Sequence, residues 1–113
     1  MTNVFPKFIV EEYEEGLVII LGKCSFHKQL ATDISKVRGG GMWRMDREAG
    51  NIYLNGSSYE FGKCSIDDLA TCVQNKRVFS SPSMMRNLTE EFRFEFEDFT
   101  EKINLQTYNP CSK

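Results

Sequence analysis

His27 is the only histidine in this 113-residue chain, and histidine is the side chain whose charge ordinarily changes near neutrality. With no second histidine, neither a histidine pair nor a two-histidine metal site can form. A neutral imidazole nitrogen can act alone as nucleophile or general base. The residue types that would complement it on an anionic substrate are all present. Lys7 offers a point charge, Ser57 and Ser58 offer hydroxyls within "NGSSYEFG", and "RGGG" at 38–41 offers a backbone able to nest an anion. Each also has a plainer reading. "RGGG" lacks the spacing and the terminal GK[ST] of a P-loop, and the serine loop has no nucleophile-elbow pattern. One histidine near a helix start and one lysine on a strand are ordinary.

Other chemistries find less support. Cys24, Cys64, Cys72 and Cys111 include no CxxC pair, so the spacing gives no zinc knuckle and the thiols read as free and mostly buried. The acidic stretch "EEFRFEFEDFTE" reads as an amphipathic strand with solvated charges, so no metal is expected. A net charge of −2 with dispersed Lys and Arg argues against nucleic acid. "LVIILG" is far too short to span a bilayer, and the first residues lack the pattern of a signal peptide, so a cytoplasmic location without membrane contact is expected.

The elements that must position these residues follow from periodicity. "KFIVEEY" at 7–13 and "LVIIL" at 17–21 predict a hairpin turning at Glu14–Gly16. Ser25 as N-cap, with Phe26, Leu30, Ile34 and Val37 at helical spacing, predicts a first helix that "GGG" at 39–41 stops. Met42–Arg47 and Asn51–Leu54 read as antiparallel strands around "REAG". Alternation places Met42, Arg44 and Asp46 on one face. "SIDD" is a capping box opening a second helix that ends near Asn75, "SSPS" at 80–83 a loop, and "RFEFEDF" at 93–99 a half-exposed strand at the sheet edge. The expectation is one α/β or α+β domain over residues 1–113. It has a single mixed sheet of about five strands flanked by two helices, and residues 100–113 form a loosely packed tail.

The order of these pieces resembles the Janus/Ocnus family of small phosphohistidine phosphatases. The resemblance is carried by "GGGMWRMDREAGNIYLNGSSYEFG" at 39–62, "PKFIV" around Lys7 and "GKCSFHKQ" around His27, and covers residues 6–75. It implies metal-independent hydrolysis of phosphohistidine in a phosphorylated protein or peptide, with no cofactor. His27 would be nucleophile or general base, and Lys7 would stabilise the phosphate charge. The backbone N–H groups of Lys28 and Ser58, with the backbone around Glu60, would complete an oxyanion cradle. Phosphoryl transfer asks for little more than such positioning and charge stabilisation.

Two positions depart from the family's pattern. Met42 stands where the family has an arginine, which leaves Arg44 or Arg38 to reach the phosphate. Glu60 stands where the family has a small residue, and its carboxylate is tolerable beside phosphate only if it points outward. The alternative expectation is therefore an inactive regulatory module that binds phosphate or a phosphopeptide on the same fold.

Overall fold

In the computed structural model, residues 4–81, 86–97 and, as backbone alone, 103–104 are described. β1 (Phe5–Tyr13) and β2 (Gly16–Cys24) form an antiparallel hairpin in register from Phe5↔Cys24 to Tyr13↔Gly16. Gly16 sits at φ 130, a backbone angle that a side chain would strain. β3 (Val37–Asp46) adds on the other side of β1, and β4 (Asn51–Asn55) follows it antiparallel. Ser65 Oγ accepts the Asp68 N–H at 3.0 Å and caps α1 (Ile66–Gln74).

β5 (Val78–Ser80) returns parallel to β2, with β6 (Arg86–Asn87) beside it. At the other end β7 (Arg93–Phe96) runs parallel to β4, and β8 (Ile103–Asn104) completes a sheet in the order β6-β5-β2-β1-β3-β4-β7-β8.

This corrects the expected fold: the described residues hold eight strands and one α-helix, not five strands flanked by two helices. The helix expected over 25–37 is two short 3-10 turns, His27–Leu30 and Ile34–Lys36, separated by extended backbone. Its breaker is distant in sequence. The Glu11 carboxylate, fully buried on β1, accepts the Thr32 and Asp33 N–H groups at 3.1 and 2.8 Å and the Thr32 hydroxyl at 2.7 Å. Asp33 Oδ1 then takes the Ser35 N–H at 3.0 Å. Side-chain acceptors that capture backbone donors compete with the helical ladder, and here they prevail. Phe26 and Ile34, expected on a buried helix face, are exposed.

"GGG" does not stop a helix but lies within β3, opposite Phe8, Ile9 and Val10. β7 is no edge strand. It lies between β4 and β8 and buries Phe94 and Phe96. Phe99, Cys111 and the 100–113 tail, save the backbone at 103–104, lie outside the described residues.

The sheet is apolar on both faces. On one, α1 presses Leu69, Ala70 and Val73 onto Phe8, Val10, Leu21, Ile52, Leu54 and the β7 phenylalanines. On the other, Ile9, Val18, Ile20 and Cys24 meet Leu30 from the first 3-10 turn. Each fully buried Val, Leu, Ile or Phe side chain among them is worth about 1.5–3 kcal/mol relative to exposure. The second cluster is the small one, and its Leu30 belongs to the 3-10 turn that carries His27. No described helix is long and apolar enough to cross a membrane.

Candidate functional site

Local hydrogen bonds hold the turn that presents His27. Gln29 Oε1 accepts the Ser25 and Phe26 N–H groups, both at 2.9 Å, and the Gln29 N–H donates to the Phe26 carbonyl at 3.0 Å. Leu30 then anchors the turn on β2, over Gly22, where a Cβ would stand only 2.7 Å from Leu30 Cδ2.

The glycines of β3 form the floor beneath the ring. A Cβ on Gly40 would lie 2.9 Å from His27 Cδ2, 2.7 Å from the Phe8 carbonyl oxygen and 3.2 Å from Ser58 Cβ. His27 and Ser58 therefore meet over a residue that has no side chain. The 56–62 loop docks there through the Gly40 N–H, which donates to the Gly62 carbonyl at 3.1 Å. Gly56 and Gly62, at φ 74 and 79, let the loop turn tightly at both ends.

His27 is 5% exposed, and its Nε2 lies 2.8 Å from the Gly41 carbonyl oxygen. A carbonyl only accepts, so Nε2 carries the proton and Nδ1 keeps the lone pair. Burial pulls the ring's pKa below its ordinary 6.5, against the Gly41 bond, which raises it. The Lys7 charge lowers it further and the Glu60 charge raises it, so both ionised groups are within electrostatic reach of the ring. The imidazole is thus held neutral in one tautomer.

A cavity of about 430 Å³ opens here, lined by Lys7, Phe26, His27, Lys28, Met42 and the 57–60 loop through Ser57, Tyr59 and Glu60, with Ser25 at its side. Lys7 reaches it from β1, opposite Met42 on β3. Trp43 Nε1 donates to the Lys7 and Gly22 carbonyls, both at 3.1 Å, and fixes the strand backbone at that point. Lys7, His27, Lys28 and Glu60 are therefore brought together across more than fifty residues of chain.

The expected cradle of backbone donors is already engaged. The Lys28 N–H donates to Glu60 Oε1 at 3.3 Å, so the Glu60 side chain turns inward over the His27 turn. The Ser58 N–H donates to the Gly62 carbonyl at 3.1 Å. Ser58 Oγ, buried, accepts the N–H groups of Glu60 and Phe61, both at 3.1 Å. Ser58 shapes the loop from within and does not line the cavity.

Neither arginine reaches the site. Arg44 forms a double hydrogen bond to Glu97, at 3.2 and 2.7 Å, with its guanidinium 4.0 Å from the centre of the Tyr53 ring. Arg38 lies between Glu12 and Asp68 at 3.8 and 3.5 Å. The cations lining the cavity are Lys7 and Lys28.

Sequence reasoning missed three contributors. Phe26, 57% exposed, and Tyr59, fully exposed, stand on the cavity rim. Tyr59's place in a glycine-bounded polar loop was the available signal. Glu11 was missed too, although a carboxylate directly after "FIV" interrupts an apolar run and invites the question of its partner.

Cys24, Cys64 and Cys72 are free and buried, and no group of three or more His, Cys, Asp or Glu able to hold a metal ion occurs among the described residues. No family model, no curated protein and no solved structure matches the chain.

Proposed function

We propose that this protein hydrolyses phosphohistidine in a protein or peptide, without a metal, with His27 Nδ1 as the attacking nitrogen or as the base for the attacking water. One observation carries the reading: the Nε2–Gly41 bond holds a buried, neutral imidazole with Nδ1 unprotonated, in a cavity that also receives Lys7. A nucleophile needs that free lone pair, and Lys7 supplies the charge that a phosphoryl group gathers as it transfers. The family resemblance of 39–62 supports the phosphohistidine substrate in particular. The test is turnover of a phosphohistidine peptide in chelator by the wild type, His27→Ala and Lys7→Met. Loss in His27→Ala and a lowered rate in Lys7→Met are expected; undiminished turnover in His27→Ala defeats the mechanism.

The second reading is a module that binds a phosphopeptide without hydrolysing it. It is favoured by the Glu60 carboxylate on the Lys28 N–H and by Met42 in the place of an arginine. Saturable phosphopeptide binding with no release of phosphate would select it.

A further inference from the structure

Glu60 is the residue that a cradle for phosphate alone would exclude. It nevertheless reaches into the cavity, 3.3 Å from the Lys28 N–H, close enough to His27 to act on the ring's protonation. A carboxylate in that place repels a phosphate dianion. It attracts a cation, and the same rim carries the two exposed rings of Phe26 and Tyr59. Lys28 Nζ already lies 5.7 Å from the centre of the Phe26 ring, so that ring accepts a cation at its face. A carboxylate beside exposed aromatic faces suits a flat organic cation bearing an N–H: the rings take its face and the carboxylate its proton.

Resting on the phosphohistidine reading, we infer that Glu60, Phe26 and Tyr59 bind the leaving group, the protonated ring of an N-phosphorylated imidazole, and that Glu60 makes the site selective for phosphoryl donors with a P–N bond over P–O esters. The phosphoryl end lies toward Lys7 and His27, and the ring end toward the rim. When His27 Nδ1 attacks phosphorus, the Nδ1–P bond forms and the P–N bond to the substrate ring breaks. The electron pair of that bond returns to the ring nitrogen. The ring leaves as neutral imidazole, its other nitrogen keeping the proton that Glu60 holds, so no acid has to supply one. An ester would leave as an alkoxide or phenoxide beside a carboxylate, which is unfavourable.

Two small probes, imidazolium chloride and inorganic phosphate, titrated separately at about pH 6 into the isotope-labelled full chain, test this by NMR. Glu60→Gln is expected to weaken imidazolium binding at least fivefold and to tighten phosphate binding by a similar factor. Phe26→Ala and Tyr59→Ala, both on exposed rings, should weaken imidazolium and leave phosphate unchanged. Dispersed amide spectra will show that each variant is folded. In turnover, Glu60→Gln should lower kcat/KM for a phosphohistidine peptide and raise it for p-nitrophenyl phosphate. Imidazolium and phosphate affinities that move together, or that ignore Glu60, overturn the inference and leave the phosphohistidine reading standing. Imidazolium binding that depends on Glu60, with no phosphate binding in any variant, keeps the cation subsite and removes the phosphatase reading.

Discussion

The His27 ring lies directly over Gly40, its Cδ2 only 2.9 Å from where a Cβ on that glycine would stand. The contact joins the strand that carries the triple glycine to the turn that carries the histidine, and it leaves no space for a methyl group. The Phe8 carbonyl oxygen and Ser58 Cβ lie 2.7 and 3.2 Å from the same point, so an added methyl group would meet three neighbours at once. Gly40→Ala is expected to cost about 1–3 kcal/mol in overpacking and to displace the ring from the Gly41 carbonyl. Urea unfolding measures the first effect. The second is visible in the one set of imidazole ring signals that the chain gives. Unshifted ring signals would mean that Gly40 does not set the ring's place.

How far the sequence discloses this site depends on where each residue's partner lies. The strands over 5–24 are legible because "FIV" and "LVIIL" need only each other and a glycine-bounded turn. The capped helix after Ser65 is legible because its first turn satisfies itself. The helix expected over 25–37 fails because its breaker, Glu11, acts from 21 residues upstream, where no periodicity records it. Alternation puts Arg44 on the face of Met42, yet the side chain goes to Glu97, 53 residues away. The inward turn of Glu60 depends on the Lys28 N–H, a donor that belongs to another segment. Only the family resemblance groups Lys7 with His27, since each alone reads as ordinary; both line one cavity, while the other side-chain destinations needed the fold.

Glu11 is expected to be the most sensitive position outside the hydrophobic clusters. Its buried carboxylate holds Thr32 and Asp33, just past the His27 turn. Glu11→Ala leaves those donors without their acceptor, and a stability loss of about 3 kcal/mol is expected. Glu11→Gln keeps one acceptor oxygen and should lose less. Urea midpoints check both, and amide exchange at Thr32 and Asp33 should accelerate selectively. A variant as stable as the wild type would show that the clamp contributes nothing.

Histidine titration should show the burial of His27 directly. Its NMR midpoint is expected below 6.5, because burial opposes the charged form. Lys7→Met should raise that midpoint by removing a like charge, and Glu60→Gln should lower it. For stability the sign follows from proton uptake. Between the folded value and 6.5 the unfolded chain binds more protons, so this group's contribution is complete above 6.5 and is lost as pH falls toward the folded value. The stability advantage of wild type over His27→Gln should therefore shrink as the solution is acidified below 6.5. A midpoint at or above 6.5 would contradict the buried, neutral ring.

Cys64 and Cys72 should resist alkylation in the native protein. Burial pushes each thiol up to about 12, with the Asp68 charge adding to the shift, so almost no thiolate exists near neutral pH. Peptide mapping after brief treatment with iodoacetamide should find both unmodified, and both labelled once urea unfolds the chain. Rapid native labelling at either would show that the face under α1 opens readily.

Lys7, Arg44 and Arg38 are the cations that the sequence offers a phosphate, and of these only Lys7 lines the His27 cavity. Lys7 lines the His27 cavity, opposite Met42. Arg44 is held by Glu97 and the Tyr53 ring, so recruiting it would break a double hydrogen bond and a cation–π contact. Lys7→Met should weaken phosphate binding about tenfold, the worth of one charge-assisted hydrogen bond of roughly 1.5 kcal/mol. Arg44→Ala should leave the phosphate affinity unchanged. Its cost should fall on stability in the β3–β4–β7 region and be small, because the Arg44 end of the ion pair is exposed. Titration of inorganic phosphate into the two variants, followed through the His27 ring signals, separates the two roles. An Arg44→Ala affinity loss matching that of Lys7→Met would mean that Arg44 leaves Glu97 when phosphate arrives.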